Sequence, residues 1–226
     1  MTAPCGKGLR AGALFSGIGG FCIGFHRAGV PTAWAVEMDP FAVATYTTNF
    51  PGVYTLERDV RGVSLKDTDL EPIDILHAGF PCQSFSQAGG RRGFRDPRGR
   101  LFYEIIRIIQ EFRDRKPKAL ILENAPYLRH GEGGAWFLEL QREIQKAGYW
   151  FRNANCAELN AYDITPLPQQ RVRLFMVAFS MTHFSSGRFL FPNEKVTDPK
   201  QLGKYVDFDG TQDDEITSVA KIDIIR

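Results

Sequence analysis

Several features that would point away from an ordinary intracellular globular protein are absent from this sequence. It contains no apolar run of membrane-spanning length and no signal peptide, so we predict a cytoplasmic protein with no membrane partner. It also contains no internal repeat and no low-complexity tract. Its apolar share of 43% is ordinary for a globular protein, which excludes the disordered and fibrous classes.

Cysteine and net charge are both scarce. The four cysteines, Cys5, Cys22, Cys82 and Cys156, lie far apart, and this spacing predicts neither a metal site nor a disulfide framework. The formal net charge of +2 is too small to indicate a nucleic-acid-binding protein from overall electrostatics, so any basic surface must be local. A length of 226 residues suits one sizeable core.

The segment from 79 to 86 is the centre of the predicted site. The apolar run from 73 to 78 predicts a buried strand that Gly79 and Pro81 end, so Cys82 lies at the start of the next loop. Folds of the α/β class place their chemistry at such carboxyl ends of strands. The alternative is that Cys82 is a small buried hydrophobe. The loop that follows favours function, because its arginines suit phosphate contacts and closure over a substrate: Arg91, Arg92, Arg95, Arg98 and Arg100.

A glycine-rich turn near the start predicts a cofactor cradle. A strand over 9–15 leads into the turn at 16–20 and a helix over 21–28, and glycines there let the backbone approach a ligand closely. The next strand, 32–36, ends at Glu37, where a carboxylate can bind ribose hydroxyls. An exposed acid at a helix N-terminus is the alternative, and we favour ribose binding for Glu37 and capping for Asp39. The turn lacks a P-loop lysine, which predicts a cofactor that carries adenosine without needing a pyrophosphate cradle.

Further along the chain, polar residues follow other predicted elements. Asp59 is either an acceptor for an adenine amino group or a plain loop residue. A mostly buried helix over 101–112 precedes a strand over 119–122 that delivers Glu123, which suits acid chemistry or caps the helix over 136–147. Strands over 151–159 and 173–179 are expected to complete the sheet. Strand alternation places Arg171 and Arg173 on one face, where they would hold a carboxylate, a phosphate or a pyrimidine carbonyl.

In this order, the segments resemble the motifs of the C5-cytosine DNA methyltransferases over nearly the whole span from 9 to 179. The turn at 15–20 resembles the first cofactor motif, Glu37 with Met38 the second, and Asp59 with Val60 the third. The segment 79–83 resembles the nucleophile motif, and Glu123 with Asn124 the catalytic acid motif. The segment 100–102 falls where the family has its next cofactor contact, and 159–161 with Gln169, Arg171 and Arg173 resembles the arginine motif.

The resemblance implies a fold, a cofactor and a set of site residues. The fold is α/β, a Rossmann-like, doubly wound, mostly parallel sheet of the S-adenosylmethionine-dependent methyltransferase type, closed by an antiparallel strand. The implied cofactor is S-adenosylmethionine, bound by Phe15, Gly17, Ile18, Gly19, Gly20, Glu37, Met38, Asp59, Val60, Pro81 and Leu101. The implied catalytic residues are Cys82, Glu123, Arg171 and Arg173. The residues expected to contact DNA are Gln83, Ser86, Arg91, Arg92, Arg95 and Arg98.

The implied reaction is methylation of cytosine C5 in double-stranded DNA, within restriction-modification. The Cys82 thiolate adds to C6 while Glu123 stabilises a proton at N3, C5 attacks the sulfonium methyl group, and loss of the C5 proton releases the cysteine. Arg173 and Arg171 would hold O2 of the base. Because C6 is unreachable inside a duplex, the base must flip out.

We expect a catalytic domain over 1–190 and an acidic tail over 191–226, which contains Asp213, Asp214 and Glu215. The tail would begin a target-recognition region or dock a partner, and target recognition is expected from a second polypeptide. Two alternatives keep the same motifs: a transfer-RNA cytosine-C5 methyltransferase and a non-catalytic regulatory relative. A dinucleotide oxidoreductase would fit the glycine turn but leaves Cys82 and Glu123 unexplained.

Overall fold

The structure, a computed structural model, describes residues 8–66, 68–85, 93–192 and 195–196. The described residues fall into two compact units. The larger contains the chain up to Leu159 and the segment 172–192, and the smaller contains 160–171 with 195–196.

The described residues form eight strands and six α-helices. The strands are β1 (Ala11–Leu14), β2 (Thr32–Glu37), β3 (Tyr54–Glu57), β4 (Ile75–Gly79), β5 (Ala119–Asn124), β6 (Tyr149–Trp150), β7 (Cys156–Asn160) and β8 (Val172–Ser180). The α-helices are α1 (Gly20–Arg27), α2 (Pro40–Asn49), α3 (Leu101–Glu111), α4 (Tyr127–His130), α5 (Ala135–Lys146) and α6 (Ala161–Ile164).

The eight strands form one sheet in the order β3-β2-β1-β4-β5-β8-β6, and β7 also pairs with β8. The pairs among β3, β2, β1, β4 and β5 are parallel, while β8 runs antiparallel to β5 and to β6. The predicted doubly wound, mostly parallel sheet with an antiparallel closing strand is therefore confirmed. The order reverses between β1 and β4, and a reversal of this kind opens a crevice at the carboxyl ends of the strands.

Successive side chains of the central strands pack on opposite faces of the sheet, as strand alternation requires. Ala13 and Ala35 belong to a small core with Cys22 of α1 and Tyr46 of α2. Their neighbours, such as Leu14, belong to the larger core, which includes the buried isoleucines of α3 and residues of α5: Ile105, Ile108, Ile109, Leu140 and Ile144. Helices therefore cover both faces of the sheet.

A tryptophan explains the glycine inside β1. Gly12 pairs with Trp34 of β2, and a Cβ at Gly12 would come within 2.4 Å of an indole carbon. The Trp34 ring is buried and its Nε1–H donates to the carbonyl of Glu71 at 2.9 Å. Only glycine leaves room for this ring against the strand.

One predicted strand is wrong. The segment 151–159 does not form a continuous strand, because a short 3-10 turn at Asn153–Asn155 separates β6 from β7. The Asn155 side chain is buried, and its amide donates to the carbonyls of Val177 at 3.1 Å and Gly187 at 2.6 Å. The other predicted elements are confirmed, with ends that differ by a few residues at most. Among the described residues, no helix is long and apolar enough to cross a membrane.

Candidate active site

The predicted chemistry-bearing residues of the larger unit lie at one edge of the sheet. Glu37, Gly79 and Glu123 lie at the carboxyl ends of β2, β4 and β5 or next to them. These strands are parallel and lie close together in the sheet, in the order β2-β1-β4-β5. Strand β8 begins at this same edge because it runs antiparallel to β5, with Leu174 opposite Asn124. Arg173 therefore enters the site from the start of a strand, whereas Glu37 and Glu123 enter from strand ends.

A cavity of about 300 Å³ opens at this edge. It brings together eight of the predicted cofactor residues, Phe15, Gly17, Glu37, Met38, Asp59, Val60, Pro81 and Leu101, with Val36, Arg58, Gly79 and Gln83. Three predicted cofactor residues, Ile18, Gly19 and Gly20, are not in its lining. Gln83, which was expected to contact DNA, also lines this cavity, and its DNA contact stays a prediction.

The glycine turn reaches the cavity through Phe15 and Gly17. Both have a φ of +54°, a left-handed conformation that is costly for phenylalanine and natural for glycine. Gly19 is also left-handed at +99°, and a Cβ there would come 2.3 Å from the Phe50 ring. The glycines at 17 and 19 thus shape the turn in different ways: one lines the cavity and the other allows α2 to pack closely.

The Glu37 carboxylate ties the turn to the end of β2. Its Oε2 accepts the Gly17 N–H at 2.8 Å, and its Oε1 accepts the N–H groups of Met38 at 2.8 Å and Asp39 at 3.0 Å. Asp39 has a different role, since its Oδ1 accepts from Phe41 and Ala42 at the start of α2, where Pro40 occupies the first turn. The predicted cap at Asp39 is therefore confirmed.

The second carboxylate in the cavity wall is Asp59. It accepts hydrogen bonds from the backbone N–H of Arg61 at 2.9 Å and from the Arg61 guanidinium at 3.0 Å. These bonds from Arg61 lower the pKa of Asp59, so the group is held as a carboxylate. A carboxylate in this position accepts hydrogen bonds, as an adenine amino group would require.

Cys82 differs from the other described cysteines in its exposure. Cys22 and Cys156 are buried, and burial raises the pKa of both thiols, that of Cys156 to about 12. Cys82 is a half-buried free thiol, and both of its neighbours, Pro81 and Gln83, line the cavity. The Cys82 carbonyl accepts the N–H of Phe85 at 2.9 Å, which closes a short turn behind the thiol. Cys82 is thus the described cysteine best placed to meet a ligand.

Glu123 and Arg173 form an ion pair. The Arg173 Nε lies 3.0 Å from Glu123 Oε1, and the side chains are 26% and 19% exposed. A terminal nitrogen of the same guanidinium donates to the Val172 carbonyl at 2.8 Å, which fixes its direction. Gly79 is the register partner of Glu123, and a Cβ there would lie 3.3 Å from Glu123 Oε2. The glycine therefore gives the carboxylate room next to the Cys82 loop.

Strand β8 begins at Val172, so Arg171 lies one residue before the strand. The alternation argument therefore does not extend to Arg171, and its role beside Arg173 stays a prediction. Arg171 belongs to the smaller unit, where its N–H donates to Asn160 Oδ1 at 3.0 Å and its carbonyl accepts from Ala161 at 3.0 Å. The Asn160 side chain also caps α6.

The cationic loop after Cys82 is described only in part. Ser86, Arg91 and Arg92 lie outside the described residues. Arg95 is exposed, while Arg98 pairs with the buried Asp96 carboxylate at 3.0 Å.

The described ends of this loop meet through aromatic rings. The Phe85 and Phe94 centroids lie 5.1 Å apart, edge to face. Gly93, with a φ of +51°, packs so closely on Trp136 that a Cβ would come 2.2 Å from the indole nitrogen. The two ends of the loop are therefore held together by packing.

Asn124, which belongs to the predicted acid motif with Glu123, makes a contact that the sequence did not predict. Its side chain is fully buried and donates to the Phe80 carbonyl at 3.0 Å, across from β5 to the chain after β4. The available signal was an asparagine directly after an apolar strand and beside a candidate acid, since a buried asparagine must find partners for its amide.

Comparison with known proteins agrees with this geometry. The family model described as C-5 cytosine-specific DNA methylase matches residues 9–222. The Type II methyltransferase M.Bsp6I of Bacillus sp. (strain RFL6) is 35% identical over 187 residues, which cover 81% of this chain and 56% of the relative. M.AquIA of Picosynechococcus sp. is 36% identical over 211 residues, covering 88% of this chain and 82% of the relative. The chain spans about half the length of M.Bsp6I and of two other curated relatives, with shares of 56%, 46% and 56% of their lengths.

A solved structure is also similar to this chain. A putative DNA modification methyltransferase encoded within an E. coli prophage matches with a TM-score of 0.63 and 26% identity, over 77% of this chain and 47% of that chain. The structural match and the family match therefore indicate the same kind of protein, a DNA methyltransferase. The chain belongs to the C-5 cytosine-specific DNA methylase family.

Proposed function

We propose that this protein transfers a methyl group from S-adenosylmethionine to C5 of cytosine in double-stranded DNA. The observation that carries the proposal is the meeting of three groups at one sheet edge. A half-exposed thiol, Cys82, lies beside a cavity with two carboxylates in its wall, and the paired Glu123 and Arg173 lie on the strands next to it. Arrangements of this kind combine a nucleophile, an acid and a cofactor site within reach of one substrate.

The cavity fits an adenosine-bearing cofactor. Phe15, Val60, Pro81 and Leu101 supply apolar wall, and Glu37 and Asp59 supply acceptors for ribose hydroxyl and adenine amino groups. The Oγ of Ser16, next to Gly17 in the turn, is buried and has no hydrogen-bond partner, as expected near a polar ligand. When bound, S-adenosylmethionine supplies the electrophilic sulfonium methyl group that C5 takes up.

The residues of the chain activate the cytosine ring. The Cys82 thiolate forms a bond to C6, and Glu123 holds a proton at N3, so electron density moves to C5. Arg173 fixes the Glu123 carboxylate through Oε1, and its guanidinium suits the O2 carbonyl of the base. After C5 has gained the methyl group, loss of the C5 proton breaks the bond to Cys82 and restores the aromatic ring. The target base must be flipped out of the helix for this chemistry.

Target recognition is a further part of the proposal. Reading base edges requires a dedicated surface. The described elements of the larger unit form the sheet, its covering helices and the cavity wall. We propose that a second polypeptide contributes target recognition to the catalytic domain over 1–190. Exposed Arg95 and the arginines at 91 and 92 would contact phosphate. The cytoplasm suits the free Cys82 thiol, since reducing compartments preserve thiols, and a restriction endonuclease is the expected companion.

The test is methyl transfer from labelled S-adenosylmethionine to unmethylated mixed-sequence DNA, with the chain alone and with any co-encoded neighbour. We expect the wild type to form a covalent adduct with a 5-fluorocytosine duplex and the Cys82→Ser variant to form none, while both bind S-adenosylhomocysteine equally. An adduct in the variant would overturn the assignment of the nucleophile. Methylation of transfer RNA rather than DNA would overturn the assignment of the substrate.

A further inference from the structure

We propose that Asn124 is a positioning residue that holds the Cys82 loop at a fixed place relative to Glu123. The inference rests on the proposed function, because it concerns the alignment of that nucleophile and that acid. Glu123 and Asn124 are the last residues of β5, and Cys82 follows β4, the parallel neighbour of β5.

The Asn124 side chain extends the pairing of the two strands beyond their backbone ladder. The last register pair of β4 and β5 is Gly79 with Glu123. One residue further along each strand, the Asn124 Nδ2 donates to the Phe80 carbonyl at 3.0 Å. The Asn124 Oδ1 accepts the N–H of Ala125 at 2.8 Å, so the amide cannot rotate without breaking a second bond. The chain therefore stays attached to β5 after the ladder has ended.

The same point of the loop is held from its other side by packing. Phe80 is buried, and its ring lies against Phe85 and Phe102 with centroid distances of 6.2 and 5.8 Å. Its carbonyl is held by Asn124 and its ring by the aromatic cluster, which leaves Pro81 alone between this anchor and Cys82. The position of the thiol relative to Glu123 is thus set through Phe80.

Only an amide satisfies both contacts. Aspartate keeps the acceptor for Ala125 but turns an oxygen toward the Phe80 carbonyl, and two acceptors repel each other. The bond lies in a fully buried site, so water does not replace it. A loop released at Phe80 misplaces the thiol, and a misplacement of about 1 Å costs on the order of 100-fold in rate.

The test compares Asn124→Asp with a matched control, Asn155→Asp. Asn155 is also buried and also donates its side-chain amide to backbone carbonyls, but its partners are Val177 and Gly187 in a different part of the larger unit. Both variants lose buried amide bonds, so both are expected to lower the melting temperature. Three quantities are measured on the full chain: the affinity for S-adenosylhomocysteine, the rate of adduct formation with a mixed-sequence 5-fluorocytosine duplex, and the rate of Cys82 alkylation by iodoacetamide, followed by peptide mass spectrometry.

We expect Asn124→Asp to slow adduct formation about 100-fold and to raise the Cys82 alkylation rate. The loss of cofactor affinity should be much smaller, because Pro81 and Gln83 are only two of the residues that line the cavity. The control is expected to keep wild-type rates in both assays. Equal adduct rates for the two variants would overturn the proposal. If the wild type forms no adduct, alone or with any co-encoded neighbour, the proposed function fails. The alkylation rates then test the contact between Asn124 and Phe80 by themselves: a rise only in Asn124→Asp supports the proposal, and equal rates refute it. If Asn124→Asp does not fold, Asn124→Ser, whose side chain is too short to reach Phe80, replaces it in the same assays.

Discussion

Replacing Glu37 by glutamine tests the candidate cofactor site most directly. The carboxylate accepts three backbone N–H groups, one from the glycine turn and two from the chain after β2. Glutamine has the same size but only one acceptor oxygen. Whichever way its amide is turned, an NH₂ group faces either the N–H of Gly17 or those of Met38 and Asp39. The variant therefore breaks the link between the turn and β2 while it preserves the volume of the side chain.

The size of the effect follows from these contacts. A buried donor left without an acceptor costs about 1–3 kcal/mol. Because Glu37 is half-buried, we expect the free energy of unfolding to fall by about 1 kcal/mol, at the lower end of that range. In the proposed complex, cofactor binding loses a ribose acceptor as well as a fixed turn. A loss of about 1–3 kcal/mol corresponds to a dissociation constant raised roughly 5- to 150-fold.

The assay is calorimetric titration with S-adenosylhomocysteine, and the control is Asp39→Ala. Asp39 also accepts backbone N–H groups, at 2.8 and 3.3 Å, but it caps α2 and does not line the cavity. Removing a cap costs about 1 kcal/mol of stability, with no expected change in affinity. An unchanged dissociation constant for Glu37→Gln, or an equal loss in Asp39→Ala, would refute the reasoning.

Three other predictions concern the core and the ion pair. Gly12→Ala places a Cβ within 2.4 Å of an indole carbon and should lower the free energy of unfolding by about 1–3 kcal/mol in chemical denaturation, whereas Gly24→Ala, with open space around it, should not. Burial lowers the pKa of His77 to about 3, so the unfolded state takes up a proton first as the pH falls. Stability should therefore decline below about pH 6.5 by up to about 1.4 kcal/mol per pH unit, and His77→Phe should flatten this slope in urea titrations. Arg173→Gln should lower turnover about 100-fold without weakening S-adenosylhomocysteine binding, since it removes the fixed partner of Glu123; wild-type turnover would contradict this role.

The sequence predicted the positions that depend on local pattern. Apolar runs followed by glycine, proline or acids identify where strands end, and the strand ends at Glu37, Gly79 and Glu123 were predicted in this way. Parallel strands bring such ends together at one edge of the sheet. Partners that are distant along the chain were not predictable. The bonds from Asn124 to Phe80 and from Asn155 to Val177 span 44 and 22 residues, and propensity carries no information on them. The first of these bonds holds the predicted nucleophile loop, and the second accompanies the break in the predicted strand over 151–159.

The edge-to-face contact of Phe85 with Phe94 bears on how much the sequence between these two residues affects the stability of the protein. The two rings bring the ends of the loop together, so the entropy of closing it is set mainly by its length. That cost rises by only about 0.6 kcal/mol when the length of a loop doubles. A longer connection between these rings therefore adds only a small closure cost. The DNA contacts proposed for this loop can therefore change by loop replacement while the sheet and the cavity stay as they are.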